Sequence, residues 1–260
     1  METMIPDNKS VYESGELARQ YSLEDRLQLP EETILDAMRE SLKGARMLDV
    51  GVGGGRTTVH FAPLVGSYVG IDYSEQMIAT CRERFGEVPD RLTFHTADVR
   101  SLSIFADECF DFVLFSYNGL DYIPHESRPS ALSEIHRVLK RGGQLAHSTH
   151  NLNSLRKRLR PQPHLNPRVL ASSLLWVYRF LRHNGWRFNV GKVGYCEVHD
   201  GALQYRLRTH YVTPKCAVDE LAGSGFRDIR IFSLATGQPI VEAEKMRVNT
   251  DDWLYFLSTK

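Results

Sequence analysis

The sequence predicts an α/β fold, a mostly parallel sheet with helices on both faces, and three observations predict it. Short apolar runs alternate with stretches of helical apolar spacing from residue 31 to residue 149, the pattern of strands joined by crossover helices. The first run, Met47-Leu48-Asp49-Val50, breaks into four glycines, Gly51, Gly53, Gly54 and Gly55. Glycines there remove side chains where backbone must pass close to a ligand. The second run ends in Asp72, 21 residues after Gly51, near the spacing at which a strand-end acid holds a ribose.

The bulk properties fit such a domain. A chain of 260 residues makes one large α/β domain or a domain with an insertion. Hydrophobic content of 42% and charged content of 25% are ordinary for a soluble protein. Lys+Arg equals Asp+Glu at 32 each, so net charge selects no partner. There is no signal-peptide pattern and no 18-residue apolar run, so the expected location is cytoplasmic. Cys81, Cys109, Cys196 and Cys216 have no close spacing, which suggests reduced thiols and no structural metal site. Residues 1–12 are polar and expected to fray.

The elements follow in order. Pro30 with Glu31 and Glu32 marks a helix start, and Ile34, Leu35, Met38 and Leu42 carry its buried face. Residues 46–50 form the first strand, and residues 57–61 begin a helix after the glycine turn. Residues 67–71 form the second strand, and Ser74 caps a helix to Phe85. Strands three and four span 92–96 and 110–115. A helix over 127–139 stops at Lys140-Arg141-Gly142-Gly143, and 144–149 is the fifth strand. After an insertion the sheet resumes with a strand over 203–211. Thr213-Pro214 opens a helix to Leu221, and strands over 227–232 and 253–258 complete an antiparallel edge.

The insertion breaks the rhythm. Residues 151–196 hold nine basic residues, Arg156, Lys157, Arg158, Arg160, Arg168, Arg179, Arg182, Arg187 and Lys192, and no Asp or Glu. The remainder then holds 23 basic and 32 acidic residues, a formal net of −9. Residues 169–181 have helical apolar character, and Trp176, Tyr178, Phe180, Trp186 and Phe188 add aromatic rings. The organisation read from this is an N-terminal helical cap (1–45), a cofactor-binding half (46–150), a basic lid (151–202) over the strand ends, and a C-terminal completion of the sheet (203–260). The arginines either attract an anionic ligand or pair with the acids of the body.

Five stretches in this order resemble the class I S-adenosylmethionine-dependent methyltransferases: residues 48–55, 69–74, 96–99, 110–113 and 139–143. The resemblance covers nearly the whole chain and points to the branch acting on metabolites and sugars. It implies a Rossmann-like seven-stranded methyltransferase sheet, six strands parallel and the last antiparallel and inserted between the fifth and sixth. It implies S-adenosyl-L-methionine as cofactor. Asp49, Gly51 and Gly53 would approach its amino acid part, and Asp72 would accept both ribose hydroxyls. Tyr73 and Met77 would cover the adenine, Asp98 would accept from its amino group, the Val99 amide would serve a ring nitrogen, and Ser116 would lie near the methionine moiety. A dehydrogenase shares the glycine turn and Asp72, but it does not account for Asp98-Val99 or the 140–143 turn.

Methyl transfer from a sulfonium is in-line displacement, so the protein mainly aligns the acceptor. A hydroxyl acceptor also needs a base. The candidate catalytic residues are Tyr117 and Asn118, in the loop after the fourth strand, and His150, after the fifth. No Asn-Pro-Pro-Tyr or Asp-Pro-Pro-Tyr signature is present, which argues against methylation of base or glutamine amino groups. The expectation is transfer to a small anionic metabolite, at a hydroxyl. An amine or RNA acceptor, peripheral membrane contact through the insertion, and a cofactor-binding scaffold without turnover stay open, as does the oligomeric state.

Overall fold

The fold was established from a computed structural model that describes residues 8, 12, 13, 15–160, 163–186, 188, 190, 191 and 193–260. The fraying expected for residues 1–12 falls almost wholly outside them, as do Arg187 and Lys192 of the insertion.

The first five strands are β1 (Arg46–Val50), β2 (Ser67–Asp72), β3 (Leu92–Thr96), β4 (Phe110–Phe115) and β5 (Leu139–Asn151). They lie in the order β3-β2-β1-β4-β5, and each neighbouring pair is parallel. On the far side of β5 comes β9 (Trp253–Thr259), antiparallel through seven rungs from Gln144↔Thr259 to His150↔Trp253. β8 (Arg227–Ser233) pairs antiparallel with β9. The antiparallel strand therefore sits inside the sheet, as the resemblance implied.

The strand expected over 203–211 is a correction. Leu203, Gln204 and Tyr205 have φ of 44, 61 and 64°, a left-handed turn that no strand can contain. Only β7 (Thr209–Val212) remains extended. It forms a hairpin with β6 (Tyr195–Val198) and joins β5 at His150 and Asn151, beyond the end of β4. Among the described residues the sheet thus has nine strands, seven in the main layer and two in this hairpin.

Strand alternation places a core on each face. In β4, Val113 and Phe115 join the helix α5 (Arg128–Val138) and α8 (Pro214–Gly223), while Phe112 and Leu114 face α2 (Leu29–Leu42), α3 (Thr58–Phe61) and α4 (Glu75–Phe85). Helix starts are set locally. Ser74 accepts from the Met77 amide at 3.3 Å, and Thr213 accepts from the Cys216 amide at 3.3 Å. α1 (Gly15–Ser22), within the expected helical cap though not delimited from sequence, packs Leu17 and Ala18 on Met77.

The insertion folds as α6 (Leu152–Arg158) and α7 (Pro167–Asn184), running into β6. Phe180 of α7 is fully buried among Leu152, Leu155, Val198 and Tyr211. Between β8 and β9 lies a short helix, α9 (Ala243–Val248). Among the described residues, no helix is long and apolar enough to cross a membrane.

One buried cation ties this architecture together. Arg128 donates to Glu220 of α8 through Nε and Nη2, both at 2.8 Å, and through Nη1 to Asp121 at 3.0 Å and to the Leu120 carbonyl at 2.9 Å. Removing one partner of a buried ion pair leaves a charge with neither water nor counterion. Arg128→Ala is expected to lower unfolding stability by about 3–5 kcal/mol, read from the denaturant midpoint. A midpoint shifted by less than about 1 kcal/mol would show that water replaces the guanidinium.

Candidate active site

The carboxyl ends of β1 and β4 are where the strand order reverses, the position at which open α/β sheets bind ligands. A cavity of about 420 Å³ opens there. The predicted residues Asp49, Gly51, Gly53, Asp72, Tyr73, Met77, Asp98, Val99, Ser116, Tyr117 and Asn118 all line it, and His150 does not.

The glycine turn forms its floor. Gly51 and Gly53 have φ of 65 and 54°, the left-handed region that favours glycine. Gly54 serves packing instead, because a Cβ there would lie 2.4 Å from the Ser22 amide of α1. Asp49 is buried beneath the turn and accepts from Thr57 and Tyr68 hydroxyls, both at 2.5 Å and both through Oδ2. No described residue donates to its Oδ1. Burial pushes the Asp49 carboxyl up to about 6, against the pull of those hydroxyls.

Asp72 ends β2 with both oxygens fixed by backbone. Oδ2 accepts from Gly53 at 3.0 Å and Oδ1 from Ser74 at 2.9 Å. Each oxygen keeps a further lone pair. Burial raises this carboxyl to about 6 as well, partly offset by the Ser74 and Gly53 amides. Val99 is buried, and its amide donates to no described residue. Tyr73 meets Tyr12 edge to face at 6.0 Å. Met77 reaches the cavity and also packs on Leu17 and Ala18.

Two of these lining residues carry further bonds within the protein. Asp98 lines the cavity, but its carboxylate is gripped by Arg100, with Nε at 3.0 Å from each oxygen and Nη2 at 2.6 Å from Oδ2. It is a partly exposed turn residue with the same local partner on backbone and side chain. Ser116 lines the cavity, and its hydroxyl donates to Glu31. Glu31 is itself clamped by Arg56 through 2.6 and 2.7 Å bonds, and Tyr255 donates to it at 3.3 Å. The Arg56 guanidinium lies 4.7 Å from the Tyr117 ring centroid. Burial opposes its charge, and the bonds to Glu31 outweigh burial and hold it protonated.

The lid is also a correction. Asn8, Tyr12, Leu17, Gln20, Tyr21 and Glu24 cover the cavity, together with Leu203, and none of the described residues 151–202 lines it. The insertion continues straight from β5 and spends its apolar face on α6 and the β6–β7 hairpin, so it lies beside the strand ends and not across them. The basic stretch therefore gives the cavity no positive wall. The ionised side chains that do line it are Glu24, Asp49, Asp72 and Asp98 against Arg56 and Arg100, and both arginines are already paired.

At the other end of the cavity, Tyr117 and Asn118 turn the chain with φ of 55 and 61°. Such backbone in non-glycine residues clusters where side chains must be aimed. The Asn118 amide nitrogen on the main chain donates to Ser148 at 2.7 Å. Its side-chain Nδ2 lies 3.4 Å from His150 Nε2, and its Oδ1 is buried with no partner among the described residues. His150 stands behind Asn118. Its Nδ1 is 2.8 Å from Asp121 Oδ2, and its own amide donates to the same oxygen at 2.6 Å. Asp121 is fully buried and also accepts from Thr149 at 2.6 Å. Burial opposes its charge, but the His150 hydrogen bond and the Arg128 guanidinium hold its carboxyl below the usual range. His147 points to the opposite face and stacks on Phe256; burial lowers it to about 4.

Sequence reasoning missed Glu31, Arg56, Asp121 and the roof tyrosines. Arg56 stood directly after the glycine turn, and Asp121 was the single acid in the loop after β4. Tyr12 and Tyr21 were aromatic exceptions in a polar start.

Comparison with known proteins identifies the domain in which this site lies. Residues 47–143 match the methyltransferase domain family. A probable methyltransferase, ltbC, of Aspergillus luteorubrus is 32% identical over 145 residues, 52% of this chain and 47% of that protein. A demethylmenaquinone methyltransferase of Staphylococcus epidermidis is 35% identical over 106 residues, 40% of this chain and 42% of that one. The chain thus matches these curated relatives over less than half of their length. Among solved structures, an S-adenosylmethionine-dependent methyltransferase from Mesorhizobium loti superposes with TM-score 0.60 at 20% identity, over 89% of this chain and 98% of that one. The 1,6-didemethyltoxoflavin-N1-methyltransferase of Burkholderia thailandensis gives TM-score 0.53 at 16% identity, over 98% and 82%. These two share the fold. The matched stretch carries the glycine turn, Asp72 and Val99 around one cavity, so residues 47–143 of this chain form a methyltransferase domain.

Proposed function

We propose that the chain moves a methyl group from S-adenosylmethionine to a hydroxyl on a small ring-bearing acceptor. The observation that carries this reading is the set of aromatic side chains that line the cavity: Tyr12, Tyr21, Tyr117, Tyr122 and Trp253. Flat apolar faces with polar rims suit a planar acceptor. The anionic acceptor expected from composition loses its ground, because the basic insertion lies off the cavity. The relatives' names run from demethylmenaquinone to phosphoethanolamine and phosphatidylethanolamine, so the acceptor class rests on the cavity and not on them.

The residues present fit the cofactor. Asp72 would hold the ribose hydroxyls on its remaining lone pairs, Asp49 Oδ1 and the Gly51–Gly53 backbone would meet the amino acid part, and the free Val99 amide would meet the adenine. Bound S-adenosylmethionine supplies an electrophilic methyl group and a good leaving group, S-adenosylhomocysteine.

The protein's remaining task is the acceptor proton. Asp121 accepts from His150 Nδ1, which leaves Nε2 unprotonated and pointed at Asn118. The phenolic groups are poor bases by comparison, and burial raises Tyr117 further. In this reading the hydroxyl proton passes to His150 Nε2 through one bridging water, within the range of general-base catalysis. Asn118 then turns its amide so that Oδ1 accepts from the new N–H, which gives that orphaned oxygen its partner. Asp121 acts as a positioning residue that fixes the tautomer.

Two outcomes test this. Calorimetry with S-adenosylhomocysteine should show constant affinity near pH 8 and a loss of at least about tenfold by pH 5, because ligand acceptors must be ionised and burial has raised Asp49 and Asp72 to about 6. Asp72→Asn should weaken binding by more than about tenfold at pH 8; equal affinity would remove the ribose role. The second outcome concerns turnover, followed with methyl-labelled cofactor on hydroxylated aromatic acceptors. His150→Ala should cut kcat by about 10²–10⁴-fold and leave S-adenosylhomocysteine affinity unchanged. Full turnover in that variant, or transfer only to amine analogues, would overturn the hydroxyl reading.

A further inference from the structure

α7 has two apolar faces, and the fold uses only one. The inner face holds Phe180, with Trp176 stacked on it at 5.2 Å, and Phe188 meets Phe180 at 5.2 Å. Asn184 locks the end of the helix, exchanging bonds with the His199 backbone at 2.8 Å in both directions. Seated this way, the helix presents its other side rigidly outward.

That outer side is a stripe. Ala171, Leu174, Leu175, Tyr178 and Arg182 fall at i, i+3, i+4, i+7 and i+11, and all are exposed. Leu174, Leu175 and Tyr178 are 53%, 47% and 50% exposed. Trp186, 64% exposed, extends the stripe past the helix end and leans on Tyr178 at 5.6 Å. Arg168 and Arg179 flank it, also exposed. The arginines expected to pair with the acidic body do not: Arg168, Arg179 and Arg182 make no ion pair with any described residue. Their neighbours Arg156 and Arg158 have structural tasks, on the Val190 and Val193 carbonyls and over the Trp176 ring at 4.1 Å.

We propose that the outer face of α7 docks in the plane of an anionic phospholipid surface, with Leu174, Leu175 and Tyr178 entering the headgroup boundary and Arg168, Arg179 and Arg182 meeting lipid phosphates. Leucine with Tyr, Trp and Arg on one exposed helical face is the chemistry of an interfacial helix. Charge decides among occupants. The stretch 151–196 has no acid, so two copies packed face to face would oppose arginine to arginine with nothing to pair. Bare leucines gain nothing against a phosphodiester backbone. An anionic bilayer satisfies both parts of the stripe at once.

The test is co-sedimentation of the intact protein with vesicles of phosphatidylcholine alone or mixed with phosphatidylglycerol. Binding should be at least about tenfold stronger to the anionic vesicles and should weaken with salt. Two triple variants separate the contributions: L174S/L175S/Y178S and R168Q/R179Q/R182Q. Each should lose at least about tenfold in partitioning while keeping wild-type S-adenosylhomocysteine affinity, which also shows that it is folded. Absence of binding to anionic vesicles, equal binding to both vesicle types, or unchanged binding in either variant overturns the proposal. So does a dimer in light scattering that the leucine variant abolishes, or retention of single-stranded RNA that only the arginine variant loses.

Discussion

A carboxylate shut away from water keeps its charge only if a cation meets it, and Glu31 is such a group. Arg56 grips both of its oxygens, and the site depends on that grip. Arg56 is the first residue past the glycine turn, so the ion pair holds the turn against α2. Ser116 and Tyr255 attach the end of β4 and the strand β9 to the same carboxylate. Tyr117 then lies against the guanidinium. The floor of the cavity and the start of its acceptor wall are therefore referenced to one point.

Asp121 does the same at the acceptor end. It gathers Thr149, His150 and Arg128, and through Arg128 it reaches Glu220 of α8. Asn118 bridges the two regions, with its backbone on Ser148 and its side chain toward His150. Two buried carboxylates thus brace residues that line one cavity. The carboxylates with raised pKa, Asp49 and Asp72, line it themselves with lone pairs to spare. Buried charge that is fully paired fixes geometry, and buried charge that is only partly paired is available to a ligand.

How much of this the sequence revealed follows from how local each cause is. β1, β3 and β4 were legible to the residue because a short apolar run bounded by turns has local causes. Asp72 was legible because its distance from Gly51 is a property of a βαβ unit. The antiparallel place of β9 came from the resemblance and was correct. The strand over 203–211 was misjudged because three consecutive left-handed residues leave no mark on apolar content. The lid was misjudged for a different reason. Charge and length showed that residues 151–202 are an insertion, but its direction depends on where Phe180 finds its pocket, which is a tertiary fact. Asp98 was found on the cavity wall, where it also bonds Arg100 two residues on. Glu31 was read as a helix-start acid, which it is, through its bond from the Gln28 amide at 2.7 Å. Its second role needed a partner 25 residues away.

The place of β9 has a consequence for how the chain reaches this state. The strand that comes last in sequence does not dock on an edge; it enters between β5 and β8 and closes seven rungs of β5. Until residues 253–259 leave the ribosome, β5 has an open edge from Gln144 onward, and β8 has no partner in the sheet. Contacts so distant in sequence form slowly, and an open apolar edge invites pairing with another chain. The central sheet can therefore be completed only after synthesis of β9, and in the interval the growing chain leaves the edge of β5 open to pairing with another chain.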